Sequence, residues 1–287
     1  MWGFFDVSRP KQPGTVLDAR FVIDAGIGGG RTGWVYRALD RRAGGRPVVV
    51  KEVTPLYQTE EETGWRRAAG RRLAATRHPS LPRVDGFFEE DGSVYLVMEP
   101  VEGMTLAEYV ARRGGIADEL EAVRWAVQLC EAFAALGTPD GGVELFDPAL
   151  HHVMVERGSG RAVLLDFNLA REAWPPPAAA SCRLHAVSRM AYTPPELSFS
   201  RPTPATPVYG LGAILFHVLT GSDPTDNPVL IFDFRRNPAP SDLNPAVTPA
   251  MEAIIRRAVG LRPQDRYGSV REMAADLAAH AARLGAG

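Results

Sequence analysis

The chain holds 287 residues, 45% hydrophobic and 23% charged, the balance of a globular protein with length for about two domains. A formal charge of −2 excludes a generally basic nucleic-acid binder, and the longest apolar run, residues 208–219, falls short of the ~20 that span a bilayer. No basic and apolar leader follows Met1, and Cys130 and Cys182 are too few for a disulfide framework, so a soluble cytoplasmic protein is expected. From about residue 15 to 101 strand signals dominate. Residues 21–26, 34–39, 47–53 and 93–99 are short, rich in Val, Ile and aromatics, and bounded by Gly or Asp. Residues 86–88 make a fifth strand, joined to Ser93 by a polar turn that ends in Asp91-Gly92, a hairpin signal. One helix is predicted at about 60–76, stopped at His78-Pro79.

Beyond Gly103 the helical period takes over. Residues 117–136 place Val123, Val127, Cys130 and Phe133 on one face. Residues 152–155 and 161–167 read as a hairpin across Arg157-Gly158-Ser159-Gly160, and residues 172–191 as a proline-bearing loop. Helices are predicted again at about 207–220, 248–260 and 268–283.

The string Gly28-Gly29-Gly30-Arg31-Thr32-Gly33-Trp34-Val35 has the form G-x-G-x-x-G-x-V. Glycines let the backbone bend sharply and bring amides close to phosphate oxygens. In a dinucleotide-binding unit such a string opens a helix, whereas here it leads into Trp34-Val35-Tyr36, a strand signal. By itself the string fits an ordinary glycine-rich hairpin equally well. A second signal follows it. Thirty of the 32 basic residues are Arg, and Lys occurs only at positions 11 and 51. Lys51 ends the Val48-Val49-Val50 run, and Arg is a poor replacement where a compact ammonium is needed.

On these residues, and on a series of motifs that follows in order, the sequence resembles the bacterial branch of the eukaryotic-like Ser/Thr protein kinases over about residues 17–284. Tyr95-Leu96-Val97-Met98-Glu99 leading into Pro100-Val101-Glu102-Gly103 looks like the hinge. Leu145-Phe146-Asp147 stands for His-Arg-Asp, Asp166-Phe167-Asn168 for Asp-Phe-Gly, and Pro194-Pro195-Glu196 for Ala-Pro-Glu. Tyr209-Gly210-Leu211-Gly212 looks like the start of the central helix, and Pro263-Gln264-Asp265-Arg266-Tyr267 like the late arginine motif. The resemblance implies a bilobal α+β fold. A small β-rich lobe with one main helix is expected over 15–101 and a larger helical lobe over 102–287. It implies that ATP or ADP, with Mg²⁺ or Mn²⁺, would be held by Gly28, Gly30, Gly33 and Lys51, with the base between Val35, Val49 and Met154. Met98 would be the gatekeeper, and Glu99 and Val101 the hinge. Asp147 would be the base of phosphoryl transfer, Asp166 and His152 the metal positions, and Glu196 with Arg266 a buried structural pair.

The polar network of that family is thinned here. Counting back nine residues from His78, the helix glutamate that would pair with Lys51 falls on Ala69, and Glu60, Glu61 and Glu62 lie two turns earlier. The catalytic-loop lysine is Ala149, the metal-binding asparagine is His152, and the arginine before the base is Phe146. Imidazole suits Mn²⁺ or Zn²⁺ better than Mg²⁺, but His151 and His152, as neighbours in a strand, would point to opposite faces. Pro207 replaces the aspartate that opens the central helix, Arg189 the activation-loop threonine, and Val49 the alanine over the adenine. The expectation is a pseudokinase with weak or no phosphotransfer that acts as a nucleotide-responsive interaction module toward an unidentified protein partner. An active divergent Ser/Thr kinase is the alternative.

Overall fold

The computed structural model describes residues 10–30, 33–53, 60–137, 149–165, 192–198, 203–226 and 232–285. They form two compact units. The first holds the described residues up to His78 together with Pro82–Val101, and the second holds Pro79–Leu81 and the described residues from Glu102 onward.

The first unit is a six-stranded antiparallel sheet of β1 (Val16–Leu17), β2 (Phe21–Gly30), β3 (Gly33–Asp40), β4 (Arg46–Val53), β5 (Val84–Glu90) and β6 (Ser93–Met98). The strand order is β1-β2-β3-β4-β6-β5. The period-2 alternation sorts side chains onto two faces. One carries Leu17, Phe21, Ile23, Tyr36, Ala38, Val48, Val50, Tyr95 and Val97 as a buried cluster. The rings of Phe21, Phe88 and Tyr95 stack across it with centroids 5.6 and 4.8 Å apart. The sequence predicts five strands and six are present. The sixth, β1, is too short for alternation to register in the sequence. Its pairing with β2 is set by a chain reversal in which Asp18 and Ala19 take φ of 50° and 48°. Asp91 and Gly92, with φ of 49° and 73°, form the two-residue loop that joins β5 to β6.

Residues ahead of β1 lie along this sheet. The amide of Gly14 donates to the Ile23 carbonyl, that of Lys11 to the Tyr36 hydroxyl (3.2 Å), and a Cβ on Gly26 would stand 3.6 Å from the Pro10 ring. At the end of β3 the fully buried Asp40 takes a bidentate pair of bonds from Arg20, 2.8 and 2.7 Å long. Helix α1 (Glu60–Ala75) packs on β5, with Ala69 and Leu73 buried and Gly70 so near the Phe87 ring that a Cβ would meet it at 3.1 Å.

The second unit joins a three-stranded sheet, β7 (Gly103–Thr105), β8 (Val153–Glu156) and β9 (Ala162–Leu164), to helices α2 (Leu106–Arg112), α3 (Glu119–Leu136), α4 (Thr206–Thr220), α5 (Pro240–Leu243), α6 (Pro249–Ala258) and α7 (Val270–Leu284). Side chains at Thr105, Asp118, Thr248 and Ser269 cap α2, α3, α6 and α7. The buried stripe of α3 is wider than predicted. Trp125, Ala126 and Leu129 join Val123, Cys130 and Phe133, while Val127 sits half-buried at its margin. Helix α4 is buried almost all round, packed against α3, α6 and α7. Gly212 makes the close approach possible, because a Cβ there would fall 2.7 Å from that of Ala258. Near the start of α3, Glu119 receives the Thr248 hydroxyl and amide, and His280 of α7 sits 2.6 Å from the same carboxylate. No helix among the described residues is long and apolar enough to cross a membrane.

Candidate active site

In the first unit the glycine string forms the end of a hairpin. Gly28 pairs with Val35, Gly29 with Trp34 and Gly30 with Gly33. The glycines serve different purposes. A Cβ on Gly29 would lie 2.2 Å from the Trp34 ring, so that glycine is demanded by the indole packed over it. Gly33 has φ of +141°, and a Cβ there would strike the Glu52 carbonyl oxygen at 2.0 Å. Gly28 is under no such demand, since only the Val35 Cβ, at 3.9 Å, is within reach. Its bare backbone therefore leaves room for a group that approaches the amides closely, which is what a phosphate requires.

Lys51 pairs with Val35 and Leu96, and Val49 pairs with Met98, so all five share one face of the sheet. Met98 is buried beneath it. At Glu99 the amide donates to the Arg83 carbonyl and the carboxylate accepts the Arg83 amide at 2.9 Å, which fixes the strand's exit toward the half-buried Val101.

In the second unit, Met154 is half-buried in β8, paired with Thr105 and Val163. Ala149 and Leu150 are buried just ahead of it. Residues 150–152 form a 3₁₀ turn, so His152, expected to open the strand, stands just ahead of it. The turn brings the His151 and His152 rings edge to face at 4.0 Å, where a strand would have parted them. No group of three or more His, Cys, Asp or Glu that could hold a metal ion occurs among the described residues. Asp147 and Asp166, together with Phe146, Asn168 and Arg189, lie outside the described residues.

The Pro194-Pro195-Glu196 and late-arginine motifs, seventy residues apart, meet. Arg266 Nη1 and Nη2 each stand 2.8 Å from a Glu196 oxygen, and its Nε and Nη2 donate to the carbonyls of Gly260 and Leu261. Thr206 at the start of α4 adds a hydroxyl to the same carboxylate, and the guanidinium lies over the Tyr209 ring. Both side chains are buried, at 0% and 8% exposure. Residues 21–276 match the protein kinase domain family. The chain belongs to that family.

Among relatives of this kinase domain, the probable serine/threonine-protein kinase PknB of Corynebacterium glutamicum is 28% identical over 278 residues, covering 91% of this chain and 42% of its own. The serine/threonine-protein kinase PknL of Mycobacterium tuberculosis is 29% identical over 286 residues, covering 96% and 69%. PrkC of Bacillus subtilis is 27% identical over 274 residues, covering 92% and 41%. This chain thus spans less than half the length of two of the three. A crystal structure of a mutant M. tuberculosis PknI kinase domain superposes with a TM-score of 0.73 at 20% identity, over 95% of this chain and 100% of that one, and shares the fold.

Two polar clusters in the kinase domain are not announced by its motifs. Glu52, next to Lys51, receives the hydroxyls of Tyr36 (2.8 Å) and Tyr95 (2.9 Å). The strand alternation alone sends Glu52 to the apolar face, which was the one available signal. In the second unit the Tyr192 hydroxyl lies 2.5 Å from His217 Nδ1 at the last turn of α4. Cys130 is buried in α3, and burial pushes its thiol above the ordinary range, which disfavours the reactive thiolate.

Proposed function

We propose that this protein kinase domain is a pseudokinase: a nucleotide-responsive interaction or regulatory module with weak or no phosphotransfer. The observation that carries the reading is the burial of Ala149 and Ala69, methyl groups packed away from water at the two positions where the family pattern places a lysine and a glutamate. Neither can supply charge to a phosphoryl group in transfer. Catalysis of that transfer is almost entirely positioning and electrostatic stabilisation, and single losses of such a stabiliser commonly reduce kcat by ~10²–10³-fold. The open backbone at Gly28 and the retention of Lys51 support nucleotide binding. A divalent cation would add charge neutralisation on the phosphates. Of its proposed ligands, His152 is a nitrogen donor better suited to Mn²⁺ than to Mg²⁺.

Melting of the protein with ATP plus Mg²⁺, and with ATP plus Mn²⁺, tests the nucleotide. A rise in Tm that disappears in Lys51→Met and Asp166→Ala is the expected result, and a rise untouched by both variants puts the site elsewhere. Transfer of labelled phosphate to a generic protein should be absent or orders of magnitude below that of an intact kinase. Ala149→Lys with His152→Asn should raise any residue of it. Robust wild-type transfer that vanishes in Asp147→Asn would establish an active enzyme instead.

A further inference from the structure

Glu52 occupies an unusual place in the sheet. Its neighbour Lys51 faces Val35 and Leu96, so the Glu52 side chain emerges on the opposite face, among Tyr36, Val50, Tyr95 and Val97. That face is an apolar core, yet both carboxylate oxygens of Glu52 are satisfied, Oε2 by the Tyr36 hydroxyl and Oε1 by that of Tyr95. Both tyrosines are fully buried. Burial, with the adjacent carboxylate, pushes both phenols well above their ordinary range, so each remains a donor. The Tyr36 oxygen also accepts the Lys11 amide at 3.2 Å, and the Lys11 ammonium stands 5.8 Å from the centre of the Tyr95 ring. The chain's other lysine thus closes the cluster from the N-terminal side. The main chain of Glu52 does a separate job, since its carbonyl lies where any side chain at Gly33 would have to go.

We propose that Glu52 is a positioning residue for the nucleotide site: its carboxylate, held between the Tyr36 and Tyr95 hydroxyls, and its carbonyl, seated against Gly33, together fix where Lys51 and the returning strand of the glycine hairpin stand. This rests on the proposed nucleotide reading. Two charge-assisted bonds from different strands restrict rotation of β4 about its own axis, and such a rotation would swing Lys51 and shift the carbonyl beneath Gly33 at the same time. An aliphatic residue at 52, where Glu52 is half-buried, would fill the same space but would not fix direction.

Amide hydrogen exchange on the whole chain without nucleotide tests the clamp directly. Glu52→Gln, which cannot accept both hydroxyls as the carboxylate does, should speed exchange of the amides of Gly33, Val35 and Lys51 at least tenfold, with those of Leu211–Leu215 in α4 unchanged. Unchanged exchange at the three positions overturns the clamp. ATP titration of the same variant should show at least fivefold weaker binding. The triple variant Tyr36→Phe, Glu52→Leu, Tyr95→Phe removes the carboxylate and both hydroxyls together, and replacing mutual side-chain partners by apolar groups is close to neutral for stability. It should melt near the wild type and still bind ATP weakly. Recovery of wild-type ATP affinity in that variant would make Glu52 a filler of space and overturn the proposal. Wild-type protein that takes up no ATP defeats the nucleotide reading alone, and the exchange experiment still decides the clamp.

Discussion

Two buried places in this protein treat charge in opposite ways. At the junction of Glu196 and Arg266 the family's ion pair is kept whole, with every guanidinium nitrogen bonded and a ring beneath it. At positions 69 and 149, where the order of motifs in the sequence leads one to expect charges, buried methyl groups stand. The difference follows from what each charge does for folding. Removing one member of a buried pair strands the other in a medium of low polarity, whereas a catalytic charge stabilises a transition state and can be exchanged for alanine without leaving an orphan. Architecture and chemistry separate at the level of single residues.

The largest effect should come from attacking the retained pair. Arg266→Ala should destabilise the protein by about 3–5 kcal/mol, since it leaves the buried Glu196 carboxylate without its cation and takes a donor from the Gly260 and Leu261 carbonyls. Chemical denaturation of Arg266→Ala, Glu196→Ala and the double variant measures the coupling, and additive effects would mean that the two side chains do not stabilise the fold as a pair. The converse experiment restores charge where it is missing. Ala69→Glu places a carboxylate at a position with 0% exposure and should reduce stability by about 1–3 kcal/mol. A neutral result, together with a larger ATP-induced rise in Tm, would mean the site accepts its lost partner and would erase the contrast.

A second buried carboxylate sharpens the comparison through pH. The bonds from Arg20 hold the Asp40 carboxyl below the ordinary value of 3.8 despite its burial. A lowered folded-state pKa makes the pair's contribution full above the unfolded value and lost as pH falls through the folded one. Wild-type protein should therefore lose more stability than Asp40→Asn between about pH 5 and pH 3, measured by urea unfolding at each pH. At the far end stands the exposed pair of Arg67 and Glu89. Arg67→Ala should leave the melting transition in place, because solvent and salt screen such pairs.

What can be read in the sequence divides along the same physical line. The Asp91-Gly92 turn is legible because its dihedral demand is local, and the helices of the second unit because their apolar period is long. The pairing of Glu196 with Arg266 becomes legible only through the order of family motifs, since seventy residues separate the partners. β1 is hidden because two residues carry no period, and its geometry is imposed by β2. The 3₁₀ turn at Leu150–His152 passes for strand at its last residue because the apolar run that follows is one. Glu52 is invisible as a node because its meaning depends on Tyr36 and Tyr95, which reach it from two other strands. Gly29 misleads in kind: the string presents it as part of a phosphate loop, and its necessity comes from the indole of Trp34.

The contact of Pro10 with Gly26 has a practical consequence for anyone handling this protein. Pro10, the first described residue, sits against Gly26 of β2, two residues from Gly28 of the glycine string. Leu284, at the end of α7, offers an attachment point in the helical unit instead, and immobilisation for binding measurements belongs at that end of the chain.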